Sequence, residues 1–307
     1  EPNSKVTLSL FNGSSSFGTT LGTTTANTKG AFSFTPSSAL ADGNYSLKAT
    51  STDSAGNISS KSASISITID TTAPDAPSSL ATSSSITSNS TPTITGNAEA
   101  NTKVTLFIDS SLLGTTTANT KGAFSFTPSF AIDDGNYSIK ATSTDSAGNI
   151  SSKSASISIT IDTTAPDAPS SLATSSSIIS NSTPTITGNA EANTKITLLN
   201  GNVEIGTAIA SSEGAFTITP STPLEDGDYS LTTLATDSAG NISSESVSIA
   251  ITIDTTPPSP PSFVTPPAVT DNKTPTISGT AENGSTITLL NGNVEIGTAI
   301  ASSEGAF

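Results

Sequence analysis

The stretch Ile69-Asp70-Thr71-Thr72-Ala73-Pro74-Asp75-Ala76-Pro77 decides how this chain is read. It returns as Ile161-Asp162 through Pro169, and again, altered, as Ile253-Asp254-Thr255-Thr256-Pro257-Pro258-Ser259-Pro260. Its aspartate recurs with a period of 92 residues (162 − 70 and 254 − 162). Each copy ends a run of alternating apolar residues and leads into a fresh one. The stretch therefore reads as a stiff, acidic joint between like units, with its prolines restricting the backbone.

A period this long is not that of a solenoid. It matches a small domain, near the ~100 residues of an immunoglobulin-type sandwich. The joints divide the chain into residues 1–69, a repeat lacking its first strand; 70–161 and 162–253, two complete repeats; and 254–307, the first half of a fourth. In the first repeat, Lys5-Val6-Thr7-Leu8 aligns with Lys103-Val104-Thr105-Leu106 at an offset of 98, whereas Asp42 aligns with Asp134 at 92. A six-residue insertion around Asn12 to Phe17 accounts for the difference. Lys48 to Ile86 is identical to Lys140 to Ile178, and Thr197 to Phe216 to Thr288 to Phe307. Near-identical units suit a spacer, whose number matters more than its individuality.

Within residues 70–161 the strand signals run in order. Pro92 to Gly96, Lys103 to Ile108, Leu112 to Ala118, Ala123 to Thr127, Tyr137 to Thr142 and Ala155 to Ile161 alternate with period two and are rich in β-branched residues. Turn signals separate them about every ten residues. Ser83 to Ser90 reads as a loop. No helical stripe is present, and the fold class is all-β, a tandem array of immunoglobulin-like antiparallel sandwiches. Phe32, Phe34, Phe124, Phe126 and Phe216 read as core. Tyr45, Tyr137 and Tyr229, each after Asp-Gly-Asn or Asp-Gly-Asp, resemble a tyrosine corner. Asp42, Asp134 and Asp226 in the same turns read as caps. The half repeat from Asp254 onward is expected to expose apolar edges and to be poorly ordered alone.

Composition removes several functions. Net charge is −15 from 10 lysines and 25 acidic residues, without arginine, which leaves nucleic-acid binding no electrostatic basis. Histidine and cysteine are absent, and with them the common general bases, thiol nucleophiles and soft metal ligands. Tryptophan is absent and tyrosine numbers three, too few aromatics to hold a sugar ring beside paired carboxylates. The chain does not read as an enzyme. No run approaches the ~20 apolar residues of a membrane span, and no signal peptide heads the chain. It starts and stops inside a repeat and reads as a piece of something longer.

The acidic residues recur at fixed places. In an immunoglobulin-type sandwich, the incoming joint, the turn after the second strand and the turn before the last strand share one pole. That groups Asp70 with Glu99 and Asp145, Asp162 with Glu191 and Asp237, Glu1 with Asp53, and Asp254 with Glu282. Converging carboxylates repel unless a cation lies between them, and an all-oxygen set suits Ca²⁺. Each is equally an ordinary turn residue, a role in which aspartate is common.

Five ordered motifs carry a family resemblance: Asp70-Thr71-Thr72-Ala73-Pro74; Thr91-Pro92-Thr93-Ile94-Thr95-Gly96-Asn97-Ala98-Glu99; Gly122-Ala123-Phe124-Ser125-Phe126; Asp134-Gly135-Asn136-Tyr137; and Asp145-Ser146-Ala147-Gly148-Asn149. They resemble the bacterial immunoglobulin-like repeats of giant adhesins that are exported by type I secretion and held at the cell surface. The resemblance implies an extracellular, monomeric stalk of repeats packed against neighbouring identical repeats. It further implies Ca²⁺ at the joints and a host or surface ligand reached through domains outside this chain. The joint aspartate, the glutamate and the first aspartate of Asp-Ser-Ala-Gly-Asn would be its ligands. Ser259 departs from the pattern at the place of Asp75 and Asp167. The alternative function is direct recognition of glycan or protein by the repeats themselves.

Overall fold

A computed structural model describes residues 1–12, 18–264 and 269–307. Most of the insertion placed around Asn12 to Phe17 lies outside the described residues. By Cα proximity the chain forms two units, Glu1–Thr163 and Thr164–Phe307. No helix occurs among the described residues.

The first unit begins with β1 (Lys5–Asn12), β2 (Thr19–Thr25), β3 (Gly43–Thr52) and β4 (Ile65–Ile69), a single sheet in the order β2-β1-β3-β4. It continues with β5 (Ser78–Ala81), β6 (Ile86–Thr87), β7 (Ile94–Asn97), β8 (Lys103–Ile108), β9 (Ser111–Thr117), β10 (Ala123–Phe126), β11 (Gly135–Thr144) and β12 (Ile157–Ile161). These make a three-stranded sheet, β10-β7-β5, and a five-stranded sheet, β6-β12-β11-β8-β9. The pairings are antiparallel except β6 with β12, where Thr160 lies opposite Ile86.

Alternation decides what is inside. Val104 and Leu106 of β8, Ile139 and Ala141 of β11, and Ile159 and Ile161 of β12 point inward with Ile94 and Phe124, and all are buried. Burying one such aliphatic side chain contributes about 2 kcal/mol. Repeat 1 shows what the facing sheet supplies. Its β4 has the sequence of β12, Ile-Ser-Ile-Thr-Ile. Yet Ile67 is 41% exposed where the equivalent Ile159 is 1% exposed. Phe32, read as core, is 49% exposed for the same reason: among the described residues no second sheet lies over repeat 1. Phe124 and Phe216 are buried, as the alternation required.

The second unit holds β13 (Ser170–Ala173), β14 (Ile178–Ile179), β15 (Ile186–Asn189), β16 (Lys195–Asn200), β17 (Val203–Ile209), β18 (Ala215–Ile218), β19 (Gly227–Thr236) and β20 (Ile249–Ile253). They repeat the two-sheet arrangement as β13-β15-β18 and β14-β20-β19-β16-β17. Their core is Ile186, Ile196, Leu198, Phe216, Leu231, Ile251 and Ile253 with smaller neighbours. Residues beyond Asp254 form β21 (Ser262–Phe263) paired with β22 (Gly279–Thr280), and β23 (Thr286–Asn291) paired with β24 (Val294–Ile300). Phe263, Leu290, Val294, Ile296 and Ile300 are exposed there.

The tyrosine corners form. Tyr45, Tyr137 and Tyr229 donate their hydroxyls to the carbonyls of Ala41, Asp133 and Glu225 at 2.8, 3.0 and 3.0 Å. Each bond spans four residues and fixes the Asp-Gly turn that opens a long strand.

Candidate inter-repeat joints

Because Tyr45 ties down its own turn, Asp42 stands at a fixed place just before β3. From there its carboxylate reaches the joint. Oδ1 accepts the Thr71 amide at 3.1 Å and the Thr71 hydroxyl at 2.8 Å, and Oδ2 accepts the Thr72 hydroxyl at 2.9 Å. Asp70 Oδ1 accepts the Thr72 amide at 3.1 Å, an Asx turn that shapes the joint from within. The same arrangement closes repeat 3. Asp226 Oδ1 accepts the Thr255 amide at 2.9 Å and hydroxyl at 2.7 Å, Oδ2 accepts the Thr256 hydroxyl at 2.8 Å, and Asp254 Oδ1 accepts the Thr256 amide at 3.1 Å. At the end of repeat 2, Asp134 Oδ1 accepts the Thr163 amide at 3.0 Å and hydroxyl at 2.9 Å.

The Thr71 and Thr255 hydroxyls, then their amides, hold the Asp42 and Asp226 carboxyls below the usual aspartate range. Hydrogen bonds to the charged form favour it. These three aspartates read from sequence as caps of their own corners; their side chains instead grip the chain 29 residues on. The Thr-Thr pair at each joint, at a constant distance from an Asp-Gly turn, was the available signal.

Repeat 2 holds the first joint from its other end. Asn149 Nδ2 donates to the Asp70 carbonyl at 3.1 Å, and the buried Ser143 hydroxyl donates to the Asp75 carbonyl at 2.8 Å. Asn149 is aimed by the loop it belongs to. Asp145 Oδ1 accepts the amides of Ala147, Gly148 and Asn149 at 2.9, 2.8 and 2.9 Å, and Oδ2 accepts Asn149 Nδ2 at 2.8 Å. Gly148 has φ +97°, a conformation that favours glycine over residues with a Cβ. Asp53 bonds the amides of Ala55 and Asn57, and Asp237 those of Ala239 and Asn241. The Asn57 side-chain amide foremost keeps the Asp53 carboxyl low, and that of Asn149 does so for Asp145. At Asp237, burial pushes the carboxyl up but is outweighed by the Asn241 side-chain and loop amides, and the net shift is downward.

The glutamates act through their main chain. The carbonyls of Glu1, Glu99, Glu191 and Glu282 accept the hydroxyls of Ser4, Thr102, Thr194 and Ser285, each at 2.7 Å. Glu1, Glu99, Glu191 and Glu282 are all exposed.

Among the described residues no three acidic side chains gather closely enough to hold a metal ion. The carboxylates of Asp70, Glu99 and Asp145 do not by themselves gather as a ligand set. The Asp70 main chain does lie against the loop of Asp145, through Asn149. Around Asp42 and Asp226 the neighbours are the threonine hydroxyls and amides that donate to their carboxylates.

The family model described as "Bacterial Ig-like domain" matches residues 1–71, 73–163 and 165–255. The chain belongs to the bacterial Ig-like domain family. These bacterial Ig-like repeats are also similar to several solved structures. One is "tetra-tandem repeat in extending region of large adhesion protein", at 21% identity over 100% of this chain and 83% of that one, with a TM-score of 0.29. Another is a set of fibronectin(III)-like modules of CbhA from Clostridium thermocellum, at 16% identity, 57% and 93% coverage and a TM-score of 0.39. A third is a biofilm-associated protein's BSP domain, at 20% identity, 70% and 43% coverage and a TM-score of 0.24. No protein with a curated description matches.

Proposed function

We propose that this chain is an extender segment of a large bacterial surface adhesin, a non-catalytic spacer that sets the reach of a binding domain elsewhere. One observation carries the reading: the contact of an Asp with the Thr that follows the joint aspartate is repeated at the ends of repeats 1, 2 and 3. A spacer needs each module to hold the next segment in the same way, and it needs no individual binding face. Extracellular location follows from the same reading. The test is to stretch the chain between its two ends. Two unfolding steps are expected, each roughly 300 Å from a 92-residue repeat at about 3.4 Å per residue. A screen of glycans and host surface proteins should give no binding. Binding by the repeats themselves would favour recognition modules over a spacer.

A joint calcium is a separate reading. What favours it is the contact between the Asp70 main chain and the Asp145 loop, which brings two acidic segments to one pole. Its signature is a melting temperature that falls on chelation and is restored by Ca²⁺.

A further inference from the structure

The aspartate that grips each joint is followed by glycine: Asp42-Gly43, Asp134-Gly135 and Asp226-Gly227. No other Asp-Gly pair occurs in the chain. Asp-Gly is the aspartyl bond most open to intramolecular attack, because glycine has no side chain to shield its amide nitrogen. We propose that these three bonds are sites of spontaneous backbone isomerisation, and that the joint contact restrains it.

The chemistry needs only water. The Gly43 nitrogen attacks the Asp42 side-chain carbon Cγ, an N–C bond forms, and one water leaves to give a succinimide. Hydrolysis at the other carbonyl returns one water and leaves the chain running through Cγ, with the carboxylate now on Cα. Composition is unchanged, but the backbone gains one carbon and the carboxylate sits on a shorter stem. It no longer stands where Thr71 and Thr72 meet it.

Geometry supplies the restraint. Attack requires Cγ to swing toward the following nitrogen, and the leaving oxygen to take up a proton. In the closed joint both Asp42 oxygens are engaged by three donors from Thr71 and Thr72, and Asp226 is engaged likewise by Thr255 and Thr256. The side chain is pointed across to the joint rather than back along its own backbone. Those donors also favour the ionised carboxylate, the less reactive form. A joint that opens thus exposes the bond whose rearrangement keeps it open, and isomerisation becomes a one-way record of opening. The inference rests on this hydrogen bonding and not on the extender reading.

The experiment ages the 307-residue chain beside its T71V/T72V and T71S/T72S variants in native buffer. Isoaspartate at each site is measured by peptide mapping and enzymatic methyl transfer. Isomerisation at Asp42, Asp134 and Asp226 should be much slower in the native chain than in the same chain unfolded in urea. The valine pair, lacking two hydroxyl donors, should raise the rate at Asp42 about tenfold and leave Asp226 unchanged. The serine pair keeps the hydroxyls and should keep the wild-type rate. Equal rates in the wild-type and valine chains, loss of protection in the serine chain, or a native rate equal to the unfolded one would each overturn the proposal. The native-against-unfolded comparison decides even if the valine pair weakens the repeat.

Discussion

Asp42 and Thr71, 29 residues apart, are joined twice: one carboxylate oxygen accepts both the backbone amide and the hydroxyl of the threonine, at 3.1 and 2.8 Å. Asp226 and Thr255 repeat the pair at 2.9 and 2.7 Å. A side chain that takes two donors from one residue fixes that residue's orientation as well as its distance. This is how each repeat directs the segment that leaves it.

Replacing the threonine of that pair is less informative than replacing its acceptor. Asp226→Ala removes the carboxylate that both Thr255 and Thr256 meet, and the melting temperature of the second unit should fall. Asp226→Glu lengthens the stem and should not restore it. Calorimetry on the 307-residue chain reads both.

Acid should loosen the joints. Asp42, Asp145 and Asp226 have carboxyls held below the ordinary value near 3.8, by the Thr71 hydroxyl, the Asn149 amide and the Thr255 hydroxyl foremost. A depressed folded-state pKa means that the stabilisation is complete above the unfolded value. It is lost as pH falls from there through the folded value. Melting temperature should therefore be flat on this account down to about pH 4, then drop. Asp145→Asn should shrink the drop, since one titrating carboxylate is gone.

Repeat 3 carries a defect its neighbours lack. Thr233 is fully buried and its hydroxyl has no hydrogen-bond partner, whereas the equivalent residues are Ala49 and Ala141. An unsatisfied buried hydroxyl costs about 1–3 kcal/mol. Thr233→Val, which keeps the volume and removes the hydroxyl, should stabilise the second unit by about 1 kcal/mol in urea titration.

Gly96 lies under an aromatic ring. A Cβ there would stand 2.6 Å from the Phe124 ring and 3.1 Å from the Ser78 carbonyl oxygen. Gly96→Ala should cost about 1–3 kcal/mol by forcing the buried ring to move. Phe124→Leu in the same chain should relieve part of that cost, read as a non-additive double mutant.

The strands that alternate were legible because burial on one face imposes period two, as at Val104 and Leu106. The two short strands Ser78–Ala81 and Ile86–Thr87 were not. They lie in or beside a serine-rich stretch, and the second is only two residues long, held by parallel pairing to β12, which leaves no local pattern. The recurrence of Asp145 and its counterparts was visible, but its meaning was not. Its carboxylate turns inward to four donors of its own loop, and spacing alone does not tell an Asx loop from a ligand. The Asp42 role was hidden for the opposite reason, since it depends on a partner 29 residues away that only the fold brings near.

The central claim is that each joint is held by a carboxylate of the repeat before it. Amide hydrogen exchange at Thr71 and Thr255 tests it most directly, with the chain in excess chelator beside D42A and D226A. The account predicts slow exchange at both amides without calcium, fast exchange at Thr71 in D42A alone and at Thr255 in D226A alone. Fast exchange at both in the unaltered chain, or protection that appears only when Ca²⁺ is added, would contradict it.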